Sequence, residues 1–209
     1  MVIDCRQWGN FPPNPRKRFA HPSRSFARGP QVKEVDEQET TFRGTFPCTV
    51  DQKRRLTVPS RFAKALTPRA KRTVVAVHGL EGCLSFYPLD WWKVFERRLS
   101  LAASTDPDLR RGTRRLLAST EDLLLDGQSR VTLSPSLLEY AGIRSQALLI
   151  GHAERMELWS PERWNGYLNE PGTPTYEDTM LGLGPVMAET SRLVDRMRAG
   201  LPDEPETGE

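Results

Sequence analysis

Apolar residues fall into short runs separated by turn residues, and the same order of runs occurs twice. Leu56-Thr57-Val58 and Val131-Thr132-Leu133 repeat an apolar, threonine, apolar triplet. Each is preceded by a short strand reading, Thr45–Val50 and Asp122–Leu125, and followed by a short helix, Ser60–Leu66 and Pro135–Ala141. Phe62 in the first helix occupies the place of Leu137 in the second. Next come apolar strands, Val74–Val77 and Ala147–Ile150, then a turn, then Leu84–Tyr87 and Met156–Trp159. Each unit closes on an aromatic helix start, Asp90-Trp91-Trp92 and Ser160-Pro161-Glu162-Arg163-Trp164.

Local chemistry supports these boundaries. Ser134-Pro135 and Ser160-Pro161 each read as an N-cap followed by proline at the first helical position. Ser136 to Glu139 offers a competing capping box. Gly142 suits a helix C′ position, and Gly79-Leu80-Glu81-Gly82 a hairpin turn. Between the units, Trp92, Phe95 and Leu99 make one helical stripe. Pro107 opens a second helix in which Leu109, Leu116 and Leu117 form the expected buried side. Residues 185–199 predict a weakly amphipathic helix.

Four short strands cannot hide both faces and both edges. The two units are therefore expected to pack on each other as a barrel-like body capped by helices. The expected organisation is a basic, proline-rich and disordered arm (1–41), a first domain (42–92), a helical connector (93–119), a second domain (120–168) and an acidic linker and tail (169–209).

The most informative element is D-x-x-x-R, present as Asp51…Arg55 and Asp126…Arg130. Asp in a tight turn bonds backbone N–H groups and can pair with the arginine. One reading is a structural staple. The other projects the arginine towards phosphate or a guanine edge. The first turn carries three cations, Lys53, Arg54 and Arg55, while the second carries Arg130 alone, which suggests division of labour.

Charge sharpens the picture. The chain has 209 residues and a net charge of +3. Residues 1–41 hold 7 basic and 5 acidic residues, 42–168 hold 20 and 13, and 169–209 hold 3 and 9. A basic middle favours polyanions such as nucleic acid. Arg97, Arg98, Arg110, Arg111, Arg114 and Arg115 form a further cluster, expected to pair between domains or subunits with acidic residues such as Glu121, Asp122 and Glu154, with a nucleic-acid face as the alternative. No run approaches the roughly 20 apolar residues of a membrane span, and no secretory h-region opens the chain. Three cysteines without CxxC spacing fit a reducing compartment rather than a disulfide scaffold. His21, His78 and His152 show no metal spacing, and no nucleophile or phosphate-loop motif is present, so no enzyme, metal or cofactor is expected.

Taken together, Phe42-Arg43-Gly44, Asp51…Arg55-Leu-Thr-Val-Pro59, Gly79-Leu-Glu-Gly-Cys-Leu, Tyr87-Pro88-Leu89, Asp126…Arg130, Glu139-Tyr140-Ala141-Gly142 and Leu158–Trp164 resemble the MraZ family of bacterial transcriptional regulators. That family is built from two SpoVT/AbrB-like domains. The resemblance implies an α+β, β-rich fold of two swapped-hairpin repeats forming a double-split pseudobarrel capped by helices. It implies ring-like homo-oligomers in the cytoplasm and nucleoid. It also implies binding to double-stranded DNA at direct repeats upstream of the division and cell-wall gene cluster, including the regulator's own gene, with repression there. By motif position Arg55 matches the family's DNA-contacting arginine, Lys53 its basic neighbour, and Arg43 the opening tripeptide's arginine. Arg54 and Arg130 join them as candidates, with Asp51 and Asp126 structural. Arg54 and Ser129 stand where the family usually has glycine, so a left-handed backbone there would carry strain. The competing reading is an oligomeric protein–protein assembly module without specific DNA binding.

Overall fold

A computed structural model describes residues 41–200. The expected arm, apart from Thr41, and the end of the acidic tail lie outside the described residues. Eight strands and seven α-helices follow in the order β1 (Phe42–Thr49), β2 (Arg55–Thr57), α1 (Ser60–Ala65), β3 (Thr73–His78), β4 (Leu84–Pro88), α2 (Leu89–Thr105), α3 (Pro107–Ala118), β5 (Glu121–Leu124), β6 (Arg130–Thr132), α4 (Pro135–Ala141), β7 (Gln146–Ala153), β8 (Arg155–Trp159), α5 (Pro161–Leu168), α6 (Tyr176–Gly182) and α7 (Gly184–Arg198).

The two repeats are interleaved rather than side by side. Six strands form one antiparallel sheet in the order β1-β7-β8-β4-β3-β5, and β2 pairs with β6 in a separate ribbon. The first strand of each repeat therefore lies against the third strand of the other, β1 on β7 and β5 on β3. The fourth strands meet, β4 on β8. The same exchange continues beyond the ladders: Val58 N donates to Ser129 O (2.9 Å) and Leu133 N donates to Arg54 O (2.9 Å). Neither repeat has a complete sheet without the other.

One core fills the space between the sheet and the ribbon. It joins Phe42, Leu56, Phe62, Val74 and Phe86 of the first repeat to Leu123, Val131, Leu137, Leu149 and Leu158 of the second. Phe62 meets Phe42 and Phe46 edge-on, at 5.3 and 5.0 Å between centroids. Leu137 occupies the matching place in α4, and both side chains are 1% exposed. A smaller cluster, Val75, Val77 and Trp92, lies on the other face of β3, beneath α2 and α3. Burial on both faces explains why β3 is a continuous apolar run instead of an alternating one.

Caps end the helices where the sequence places them. Ser134 and Ser160 accept from Leu137 N and Arg163 N, and Gly142 adopts φ 65°. Two expectations need correction. Leu109 is exposed (38%), and Thr113 takes the buried place in α3. Within the single chain the arginines of α2 and α3 pair with no carboxylate among the described residues, so the expected pairing is not an interdomain one. Arg110 instead donates to Ala103 O (3.2 Å) and Ser104 O (2.9 Å), closing the C-terminal end of α2. Cations near free carbonyls there oppose the negative end of the helix dipole.

β1 lies at the sheet edge, where Pro47 costs no ladder bond to a further strand. Its neighbour Gly151 allows an unusually close approach, because a Cβ at Gly151 would run into the backbone of Phe42 and Arg43. No described helix is long and apolar enough to cross a membrane.

Candidate nucleic-acid interface

The two D-x-x-x-R elements become the turns at either end of the β2–β6 ribbon. In the first, Asp51 Oδ1 accepts from Lys53 N (2.8 Å) and Arg55 N (2.9 Å). Its Oδ2 accepts from Arg55 Nε and lies 2.7 Å from Arg55 Nη2. The second turn repeats this geometry. Asp126 Oδ1 accepts from Gln128 N (2.8 Å) and Arg130 N (2.9 Å), and Oδ2 accepts from Arg130 Nε (2.8 Å) and Nη2 (2.7 Å). The spacing of four residues is what lets one carboxylate hold the turn backbone and the arginine together.

The turn demands a left-handed fourth residue, and Arg54 (φ 60°) and Ser129 (φ 57°) supply it. A side chain there costs about 1–2 kcal/mol relative to the right-handed region. Some of that is offset by fixed hydrogen bonds: Arg54 N donates to Asp51 O (2.8 Å), and Ser129 N to Asp126 O (2.9 Å).

Strand alternation then decides what faces outward. Leu56 and Val131 point into the core, so Arg55 and Thr57 share the opposite face of β2, and Arg130 and Thr132 that of β6. Both threonines are exposed, and both arginines are half-buried. The register sets Arg55 opposite Thr132 and Thr57 opposite Arg130. The result is a two-fold symmetric polar patch of two guanidinium groups and two hydroxyls, about 10 Å along the strands from three residues at ~3.3 Å each. Short antiparallel ribbons of this kind fit a DNA groove.

Electrostatics differ between the turns. Arg55 and Arg130 are each balanced by their own aspartate. The Lys53 side chain is exposed and pairs with no carboxylate among the described residues, so the first turn keeps a net positive charge. Arg54 is exposed too, but its Nε is spent on Leu133 O (3.2 Å) in the second repeat. The second turn is flanked by Arg72, whose Nη2 donates to Asp126 O (2.8 Å) and lies 3.4 Å from Ser129 Oγ. Arg43 lies apart, on edge strand β1 opposite His152, exposed and unpaired among the described residues.

The hydrogen bonds from Arg130, side chain first and backbone second, hold the Asp126 carboxyl at a pKa of about 2, and those from Arg55 hold Asp51 below its ordinary range as well. A depressed carboxylate pKa contributes stability above the unfolded value, and that contribution is lost as pH falls through the folded value. The thermal midpoint of the parent protein is expected to exceed that of Asp126→Asn at neutral pH, with the gap shrinking below about pH 4 and closing near pH 2. A gap independent of pH would show that the carboxylate charge is not what holds the turn.

The remaining motif residues form a clamp on the opposite repeat. The Tyr140 ring stacks on His78 at 3.6 Å, and its Oη donates to Gly79 O (2.7 Å). Arg163 Nη1 donates to Gly82 O (2.6 Å) and to Tyr140 O. Burial pushes the Cys83 thiol up to about 12, with nearby Glu157 and Glu81 adding to it, so at neutral pH it is a protonated, inert packing group. Among the described residues no cluster of His, Cys, Asp or Glu could hold a metal ion.

Sequence reasoning placed both turns and missed Thr57, Thr132 and Arg72. The threonines were legible from the R-apolar-T alternation, which sets Arg and Thr on one face. Arg72 was not legible, because only the β3–β5 pairing brings it to the second turn.

Comparison with known proteins agrees with this architecture. The MraZ family model, described as an antitoxin-like MraZ protein, matches residues 41–115 and again 116–179. The chain is 40% identical over 126 residues to a transcriptional regulator MraZ of Desulfitobacterium hafniense, covering 60% of this chain and 85% of that protein. It is 35% identical over 137 residues to that of Syntrophomonas wolfei, covering 66% and 92%. It is 32% identical over 164 residues to that of Pseudomonas aeruginosa, covering 78% and 95%.

Proposed function

The chain belongs to the MraZ family, and from that premise we propose that it is a DNA-binding transcriptional regulator that meets DNA through the outer face of the β2–β6 ribbon. The observation that carries this reading is the symmetric Arg55/Thr57/Arg130/Thr132 face with an unpaired Lys53 at its margin. The relatives are named as regulators, a non-enzymatic class.

The residues divide by chemistry. Arg55 spends two N–H groups on Asp51 and keeps three of its five donors free, held in a fixed orientation. Such a neutralised but oriented guanidinium suits a base edge, the bidentate pairing to guanine being worth about 1–3 kcal/mol. Arg130 is its counterpart in the second turn. Lys53 and Arg54 supply attraction to phosphate, and Arg43 extends the basic surface along β1.

The targets are direct repeats upstream of the division and cell-wall genes, including this protein's own gene, where occupancy represses transcription. The working assembly is a homo-oligomeric ring in the cytoplasm, associated with the nucleoid. Few contacts per copy make each turn weak and salt-sensitive. A ring repeats the turn along tandem DNA repeats, and avidity then raises affinity by roughly 10²–10⁴.

Fluorescence anisotropy with a duplex from upstream of the protein's own gene tests this against a scrambled duplex. Tight, salt-dependent binding that prefers the native duplex is expected. Arg55→Ala is expected to lose the preference while the particle mass stays unchanged. Equal weak binding to both duplexes, unaffected by the substitution, would overturn the reading and leave an assembly module. The apolar side chains that α6 and α7 expose, Tyr176, Leu181, Val186, Met187 and Met197, favour that second reading.

A further inference from the structure

We propose that Arg72, a residue of the first repeat, is the phosphate-contacting cation of the second repeat's turn. This rests on the DNA-binding reading above and adds to it a contact outside the D-x-x-x-R element.

The second turn has no net positive charge of its own. Its single cation, Arg130, is balanced by Asp126, while Gly127, Gln128 and Ser129 are neutral. The first turn differs because Lys53 and Arg54 pair with no carboxylate among the described residues. Arg72 makes up the difference from another part of the chain. The β3–β5 ladder sets Thr73 opposite Leu124, and Leu125 N donates to Arg72 O (2.8 Å), which brings residue 72 to the edge of the second turn. There its Nη2 reaches Asp126 O and Ser129 Oγ. Both partners are uncharged, so the guanidinium keeps its full charge. It pairs with no carboxylate among the described residues, and it is exposed.

The backbone supports the same reading. Lys71 (φ 51°) and Arg72 (φ 55°) are consecutive non-glycine residues in the left-handed region. Such strain persists only where the surroundings impose it, and it gathers at binding sites. Here it turns the chain out of the 3-10 turn Pro68–Ala70 into β3 and presents two adjacent cations beside the ribbon. The matching residue of the other repeat, Ser145, accepts from Val50 N through its backbone but carries no charge to the first turn. The first turn thus has two unneutralised cations of its own, Lys53 and Arg54, while the second receives Arg72 from across the repeat boundary.

The test is anisotropy with the own-gene duplex over a range of salt concentrations, using Arg72→Ala, Arg72→Gln and Arg72→Lys beside Lys53→Ala and the parent. Each lost phosphate contact lowers the slope of log K against log salt by about 0.9 per engaged protomer. Alanine and glutamine at 72 are expected to lower the slope as Lys53→Ala does, and lysine to keep it. The preference for native over scrambled duplex is expected to be unchanged in all of them. Glutamine can keep the hydrogen bond to Asp126 O, so a parental slope in Arg72→Gln would make the residue a turn brace and overturn the proposal. Absence of salt-dependent binding by the parent would instead remove the DNA-binding reading itself.

Discussion

Replacing Phe62 with alanine will lower the unfolding free energy by about 3–5 kcal/mol. The side chain is 1% exposed and sits where three aromatic rings converge, edge-on to Phe42 of the exchanged strand and to Phe46. Its loss removes the transfer free energy of a whole ring and leaves a cavity between α1, β1 and the ribbon. Edge-to-face pairs add about 0.5–1.5 kcal/mol beyond area burial, so this site belongs near the upper end of the range. Leu137→Ala, the equivalent change in α4, is expected to cost about 2–5 kcal/mol. Urea denaturation of both variants measures this. A cost below about 1 kcal/mol for Phe62→Ala would mean that β1 and α1 collapse onto each other freely, contrary to the packing described.

Gly151→Val is expected to displace β1. A Cβ at this position would overlap the backbone of Phe42 and Arg43, and no rotamer change can move a backbone out of the way. Overpacking costs about 1–3 kcal/mol where side chains can adjust, so a collision with main chain belongs at or above that range. The distinguishing readout is local. Amide exchange should accelerate across Phe42–Thr49 and its partners in β7 more than in β3 and β4. Uniform acceleration through the sheet would show a general loss of stability instead of release of one strand.

Much of this fold is written locally. The caps Ser134, Ser160 and Gly142, the turn aspartates and the period-2 triplets act within a few residues of themselves, and they lie where sequence reading put them. Several strand ends lie one to three residues further out, β1 starting at Phe42 rather than Thr45 and β7 running to Ala153 rather than Ile150, while β1 and β5 stop one residue short, at Thr49 and Leu124. The reason is that β1 and β7 extend each other through cross-strand bonds that neither contains alone. Leu109 fails for a related reason. Its apolar character fits the buried stripe of an isolated helix, but α2 meets α3 along Leu116 and Leu117 instead. At the candidate site, Asp51, Arg55, Asp126 and Arg130 were legible from spacing. The two readings of the arginine, staple or contact, were not separable from sequence. The geometry shows a staple that leaves donors free. The roles of Arg72 and Gly151 depend on which strand comes to lie beside them, and that pairing spans most of the described chain.

The strand exchange also sets a schedule for the protein's birth on the ribosome. Residues of β1 pair with partners roughly a hundred positions later, in β7. At about 5–20 residues per second, the first strand waits roughly 5–20 seconds for its neighbour to be made. During that interval Phe42 and Phe46 can meet Phe62 but none of the core residues of the second repeat. Strong non-local pairing of this kind slows folding and lengthens exposure to other chains. The exposed strand carries its own safeguards in Pro47 and Arg43, a proline and a charge on a free edge, which discourage pairing with another newly made copy. The residues that keep the finished sheet edge quiet thus also protect the unfinished chain.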